Sequence, residues 1–238
     1  MFYKLIRNSR IKMDRDLSQS KRRKLISPIY YSQYKITIPL SLKYIHGDLI
    51  DIGCGFSPYR RLLEDKVDFI DGFDHYKYNE FVTILGDINE ISKKINRTYD
   101  SVVCFEVLEH SPNPSETLKE IHKVLNPEGF LSLSVPLFNQ VHEEPLDFFR
   151  YTKYGIIELL TTNGFNVITI KKKAGLLSFL GHQITIFLNS LLWPIPILNL
   201  LMVYILFILI VLPSYLIDNI SDKKGKFAQG YVVIAQRD

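Results

Sequence analysis

Four carboxylates stand where short apolar runs give out. Asp51 follows Leu49-Ile50, Asp74 follows Phe69 to Phe73, Asp87 follows Val82 to Gly86, and Glu106 follows Val102 to Phe105. The first continues into Ile52-Gly53-Cys54-Gly55, and paired glycines let the backbone turn sharply and a ligand approach without meeting a Cβ. Asp74 lies about twenty residues past that turn, where nucleotide-binding α/β folds hold a ribose hydroxyl pair. The third glycine of a dinucleotide fingerprint is missing. Taken singly, each acid suits a helix cap or a surface charge, and Gly-x-Gly suits an ordinary turn. A second polar patch, His142-Glu143-Glu144-Pro145-Leu146-Asp147-Phe148-Phe149-Arg150-Tyr151-Thr152, offers an imidazole whose pKa near neutrality suits a base. The competing reading pairs Asp147 with Arg150 as a helix cap and leaves His142 a structural donor. His110 either orients its loop or donates to a bound ligand.

Strands are expected at 48–52, 67–74, 82–88, 99–106, 130–135, 165–171 and 230–235. Helices are expected at 59–63, 114–125 and 153–163, the first with its amides and dipole directed into the crevice. Leu118, Ile121, His122 and Leu125 share one helical face, and Asn126-Pro127-Glu128-Gly129 is a stop signal. This alternation from 48 to 171 predicts an α/β, doubly wound parallel sheet.

The ordered set Leu49-Ile50-Asp51-Ile52-Gly53-Cys54-Gly55, Asp74, Gly86-Asp87-Ile88, Phe105-Glu106-Val107-Leu108-Glu109-His110 and Leu125-Asn126-Pro127-Glu128-Gly129 resembles class I S-adenosylmethionine-dependent methyltransferases. The resemblance covers roughly 47–172 and 226–237 and extends to the ubiquinone-biosynthesis-like subgroup. It implies a Rossmann-like sheet of seven strands with the last antiparallel, and S-adenosylmethionine as cofactor. Asp51 and the turn Gly53-Cys54-Gly55 would hold its methionine part, Asp74 with His75 its ribose, and Asp87 with Ile88 its adenine. Glu106 and Val107 would lie near the sulfonium and amino group. Carboxylates complement these cations. The loop after the fifth strand resembles the His-Glu-x-Pro-x-Asp-x-x-Arg-Tyr-Thr stretch of a bacterial and archaeal subgroup linked to surface-glycan or lipid-intermediate modification. It implies His142, Glu143 and His110 as catalytic candidates. No metal site is expected, the histidines being scattered along the chain.

From Ala174 to Ile217 the chain has no Lys, Arg, Asp or Glu over 44 residues, too long and apolar for a soluble loop. This departs from the superfamily pattern of a short connection there. Ile197–Leu212, between Pro196 and Pro213, would make a helix of about 24 Å, short of the roughly 30 Å hydrocarbon core. Lys171–Lys173 on one side and Lys223, Lys224 and Lys226 on the other put both ends on the cytoplasmic face. A helical hairpin dipping into the cytoplasmic leaflet, bent at Trp193-Pro194-Ile195-Pro196, is therefore expected. Two tilted spans or a homodimer interface are the competing readings.

Residues 1–24 hold nine Lys/Arg and two Asp/Glu, a net +7, which leaves about −3 of the total +4 for the rest. Such an arm suits anionic lipid, nucleic acid or a solvated helix face. The charged start shows no apolar signal segment, and Cys54 and Cys104, without metal-ligand spacing, fit a reduced cytosolic chain. The expected layout is a basic and aromatic arm, 1–46, a methyltransferase domain, 47–173 with 224–238, and a membrane-associating insertion, 174–223. The expected function is methyl transfer, at oxygen, to a lipid-linked glycan, a polyprenyl-type lipid or another small amphipathic acceptor. A quinone precursor is the nearest alternative, and a non-catalytic S-adenosylmethionine-binding scaffold the alternative from another class. No nucleic acid partner is expected, because the signatures of amino-methylating DNA enzymes are absent after strand four.

Overall fold

The computed structural model describes residues 2–222 and 225–238, with side chains from residue 6 onward; the expected flanking Lys223 and Lys224 lie outside the described residues. The chain divides into two compact units. One comprises Ile38–Lys171 with Gly230–Asp238, the other the residues up to Thr37 with Lys172–Gln229.

The first unit is built on β1 (Asp48–Ile52), β2 (Phe69–Asp74), β3 (Ile84–Leu85), β4 (Tyr99–Phe105), β5 (Leu125–Pro136), β6 (Phe165–Lys173) and β7 (Gly230–Arg237). They form one sheet in the order β3-β2-β1-β4-β5-β7-β6. The β3-β2-β1-β4-β5 pairs are parallel and β7 runs antiparallel to β5. Leu49, Ile50, Ile52, Val102, Val103 and Cys104 are wholly buried. That matches a strand covered on both faces, where apolar runs replace alternation. The chain steps outward from β1 to β3 and then crosses to β4, so a crevice opens beyond the carboxyl ends of β1 and β4. Ile52 aligns with Phe73 and with Cys104, which sets Gly53, Asp74 and Glu106 along one edge.

Several boundaries differ from expectation. β3 keeps only two residues, because the chain around it is tied by Thr83 and Gly86 to β2 carbonyls. β5 begins at Leu125, so Asn126-Pro127-Glu128-Gly129 is a kink at a register shift rather than a loop, with Glu128 at φ 62. The helix after the glycine turn spans only Arg60–Leu63 before tightening at Glu64–Lys66, too short for much of a dipole.

In the second unit, the helix Phe2–Leu17 and the turn Arg23–Leu25 lead to Pro28–Ser32, whose first turn is capped by Ser27. Leu176–Leu192 forms one apolar helix. After the bend, Pro196–Leu206, Phe207–Val211 and Leu212–Ser221 run on as one helix of 26 residues, longer than the expected 16-residue piece. Pro213 does not end it. The π turn directly before the proline, where the Leu212 N–H donates to the Phe207 carbonyl, accommodates the missing donor. Polar residues that interrupt the apolar segment are used internally: His182 Nδ1 lies 3.0 Å from Ser27 Oγ, and Asn189 Nδ2 donates to the Ile26 carbonyl at 3.3 Å. Met13, Leu17, Ile26, Ile186 and Val203 close a core of their own. Buried Asp218 accepts from the N–H groups of Leu177 and Ser178 at 3.1 and 2.7 Å, capping one helix from the end of the other.

Candidate active site

The turn after β1 needs its glycines. Gly53 and Gly55 stand at φ +70 and +54, a region that costs side-chain-bearing residues strain. The N–H groups of Gly53 and Cys54 donate to the Phe73 carbonyl at 2.8 and 3.3 Å. A Cβ on Gly53 would lie 2.3 Å from Val107 Cγ2, whereas one on Gly55 would meet open space. Val107 thus closes over the turn on one side, and Gly55 faces the crevice. Asp74 ties the turn to β2, accepting from Gly55 N–H at 2.8 Å and Tyr76 N–H at 3.2 Å. Its remaining lone pairs can still take hydroxyl donors.

Asp51, only 6% exposed, has its carboxyl pushed up to about 7, first by burial and then by the Asp74 charge, against a pull from Arg60. Burial, then Asp51, also raises the Cys54 thiol, and burial raises that of Cys104, so both stay protonated. Glu106 leaves β4 at φ 57 with its N–H on the Ser134 carbonyl at 2.9 Å and its carboxylate accepting from Ser134 Oγ at 2.7 Å. A residue held there costs on the order of 1–3 kcal/mol and is tolerated where the surroundings over-determine it. Asp87 is exposed; its Oδ1 caps the turn Ile88–Glu90 through Asn89 N–H at 2.8 Å, the cap role weighed against ligand binding. Ile88 is half-buried, and His75 is exposed with its ring edge-on to Tyr76.

The loop after β5 is sewn onto the turn Leu108–His110. Phe148 and Phe149 N–H groups donate to the Glu109 carbonyl at 3.0 and 3.3 Å, and Tyr151 Oη donates to the Leu108 carbonyl at 3.1 Å. Asp147 and Arg150 do pair, with two hydrogen bonds of 2.5 and 2.7 Å, but the cap of the next helix is Thr152. The guanidinium holds the Asp147 carboxyl down at about 2. Asp147 also accepts the His142 N–H at 2.9 Å. The His142 and His110 rings meet edge-to-face with centroids 4.7 Å apart. Burial, followed by the His110 charge, moves His142 below its ordinary pKa, leaving a neutral imidazole. Glu143 is exposed at φ 54 on the loop tip. Burial, then the charges of Asp74 and Glu143, raises the Tyr78 hydroxyl. A separate recess of about 480 Å³ at Ser92, Asn96, Arg97 and Lys123 contains none of these groups.

Two of the histidines scattered in sequence, His110 and His142, come together with Glu109, their ligand atoms within 4.8 Å of one another. Arg60, Tyr78 and Ser134 escaped the sequence reading. Arg60, one turn past Gly55, carried a usable signal; Ser134 carried none, since its partner is 28 residues away.

The donor set fits a ligand with a sulfonium, an ammonium and a ribose. A buried acid crowded by a second acid calls for positive charge, and the open side of Gly55 leaves room for it. A methyltransferase domain model matches residues 25–170. The chain belongs to that family, within the class I S-adenosylmethionine-dependent methyltransferases, and S-adenosylmethionine is its cofactor. A tRNA U34 carboxymethyltransferase of Nautilia profundicola is 31% identical over 128 residues, 48% of this chain and 43% of that protein. The match therefore spans less than half of that relative. A solved S-adenosylmethionine-dependent methyltransferase of Archaeoglobus fulgidus superposes with TM-score 0.57 at 14% identity, over 89% of this chain and 95% of that one. A phosphoethanolamine N-methyltransferase of Haemonchus contortus with bound S-adenosylhomocysteine superposes with TM-score 0.53 at 13% identity, over 84% of this chain and 52% of that one. These two establish likeness of fold.

Proposed function

We propose that the chain is a membrane-associated methyltransferase of the cytoplasmic face, moving a methyl group to an oxygen of an amphipathic acceptor, a lipid-linked glycan or polyprenyl-type lipid. S-adenosylmethionine supplies the methyl group as an electrophilic sulfonium. Asp51 with the turn at Gly53, Cys54 and Gly55 holds its amino-acid end. Asp74 and His75 hold the ribose, Asp87 and Ile88 the adenine, and Glu106 and Val107 the region of the sulfonium. Transfer is an in-line displacement, so alignment of acceptor and sulfonium carries most of the catalysis. His142, neutral near pH 7, takes the acceptor's proton, and His110 orients it; Glu143 stands at the rim. Phe138, Val141, Leu146, Phe148 and Phe149, all exposed on the overhanging loop, suit an acceptor with an apolar part.

The observation that carries the membrane assignment is the outer surface of the helical unit. Leu180, Ile184, Phe187, Leu201, Ile208 and Leu209 are 45–68% exposed and Ile197 is 85% exposed. An apolar patch on that scale marks a lipid or protein interface. The basic arm runs beside the helix Leu176–Leu192 for most of its length, from Ser27 at His182 to Asp16, which accepts from Trp193 Nε1 at 2.9 Å. Exposed Lys12, Arg15, Lys21, Arg22 and Lys24 on that arm belong at headgroup level, which favours helices lying in the interface over helices crossing the bilayer. A homodimer through the same face is the alternative.

The likeness to a tRNA-modifying enzyme favours a second reading, an RNA acceptor bound by the basic arm. Incubation with methyl-labelled S-adenosylmethionine, a membrane lipid extract and total tRNA separates the two. Label in the lipid phase supports the proposal, and label in RNA establishes the second reading. Cofactor binding with no transfer to either points to a scaffold. A purified quinone precursor is the third acceptor to include.

A further inference from the structure

We propose that Ser134 is a positioning residue for the cofactor's charged sulfur. It fixes the Glu106 carboxylate and the Glu106-Val107 step, and through them lets the crevice tell S-adenosylmethionine from S-adenosylhomocysteine, whose sulfur is uncharged. The inference rests on the proposed placing of Glu106 and Val107 beside the sulfonium and names what holds them there.

Phe105 ends β4 and pairs with Ser134 of β5. One residue on, Glu106 stands at φ 57. Glutamate has no intrinsic preference for that left-handed backbone, which among side-chain-bearing residues favours Asn, Asp and His. Two contacts with one serine hold it there. Glu106 N–H donates to the Ser134 carbonyl at 2.9 Å, and Ser134 Oγ donates to Glu106 Oε1 at 2.7 Å. The first sets the backbone and the second aims the carboxylate. Ser134 is fully buried on its strand, so the donor is rigid, and a hydroxyl on a carboxylate makes a short, charge-assisted bond. The reversal at Glu106 also brings Val107 onto the turn after β1, where a Cβ on Gly53 would lie 2.3 Å from Val107 Cγ2. The Val107 carbonyl is tied in turn by His110 N–H at 2.9 Å. One serine on β5 thus governs how the exit of β4 lies against the exit of β1.

Methyl transfer changes the charge on the cofactor's sulfur. The carbon–sulfur bond breaks with its electron pair left on sulfur, while the acceptor oxygen gains the methyl carbon and gives up its proton. A carboxylate held beside that sulfur attracts the form with the sulfonium and has far less hold on the spent form. Half-buried Glu106, released from Ser134, could turn toward water, where the same attraction is screened. Fixing the carboxylate in advance preserves the difference. Ser134 acts only through Glu106 and Val107, and the discrimination favours departure of the spent cofactor.

The test is calorimetric titration of the detergent-solubilised full chain with S-adenosylmethionine and with S-adenosylhomocysteine, in wild type, Ser134→Ala, Glu106→Gln and the double variant. Ser134→Ala should weaken S-adenosylmethionine roughly tenfold and S-adenosylhomocysteine less than about twofold. Ser134→Cys, a weaker donor of similar size, should fall between wild type and Ser134→Ala. Glu106→Gln should lower the ratio of the two affinities at least as far, and adding Ser134→Ala to it should lower that ratio no further, because the two residues act as one. Ser132→Ala is the control: its hydroxyl lies 2.7 Å from Ser41 Oγ, and both affinities should stay as in wild type. Equal weakening of both ligands by Ser134→Ala, or no weakening of either, overturns the positioning role and leaves the methyltransferase reading standing. Folded wild-type protein that binds neither ligand overturns the cofactor site and this proposal with it.

Discussion

Asp51 holds a proton that the cofactor should displace. Its carboxyl, at about 7 in the free protein, would be drawn down by a neighbouring ammonium or sulfonium. Binding should therefore release a proton near pH 6–7 and tighten as pH rises through 7. Calorimetry in buffers of different ionisation enthalpy measures the release, and Asp51→Asn should remove it while weakening binding roughly 10–100-fold. The stability of the free protein has the opposite slope. A carboxyl raised above its unfolded value of 3.8 binds an extra proton when folded, so stability falls as pH climbs from about 4 to about 7. Asp51→Asn should flatten that slope in denaturation curves. Gly53→Ala meets both a positive φ and Val107, and should cost about 1–3 kcal/mol; Val107→Ala should recover the steric part, as a double-mutant cycle would measure. The strand-end positions of Asp51, Gly53, Asp74 and Glu106 were legible because β1, β2 and β4 are apolar runs that give out there. The meeting of His110 with His142 was not, since it depends on how the loop after β5 folds back onto β4.

At the scale of elements, runs of buried aliphatics announced β1, β4 and β7 because strands covered on both faces leave no alternation to misread. β3 and the start of β5 were misjudged because backbone hydrogen bonds to β2 and a register shift, not hydrophobicity, set their ends. Pro213 read as a stop because a proline ends a helix unless the preceding turn is wound to i→i+5, which sequence does not announce. Asp218 is the first charge after the apolar stretch, and its use as a cap on Leu176–Leu192 was equally hidden. Asp218→Ala should destabilise the helical unit by about 1–2 kcal/mol, visible as faster amide exchange at Leu177 and Ser178, with exchange in β1 and β4 unchanged.

For the whole molecule, the two units make separate predictions. The arm and the apolar insertion, set apart in the sequence, share one core of Met13, Leu17, Ile26, Ile186 and Val203, so excising the insertion alone would bare the arm's apolar face. Substituting Ile197, Leu201, Ile208 and Leu209 by Glu is the cleaner test, because these side chains are exposed. The variant should lose at least tenfold in co-sedimentation with anionic vesicles while binding S-adenosylmethionine unchanged. Retained vesicle binding with a dimer converted to monomer would assign the same face to self-association.

The central claim is that the strand-end carboxylates hold S-adenosylmethionine, and calorimetric titration of the detergent-solubilised full chain tests it most directly. The account predicts one site of micromolar affinity for S-adenosylmethionine and for S-adenosylhomocysteine, weakened at least tenfold by Asp74→Ala with the fold intact. Folded protein that takes up neither ligand, or an Asp74→Ala variant that binds as tightly as wild type, would contradict it.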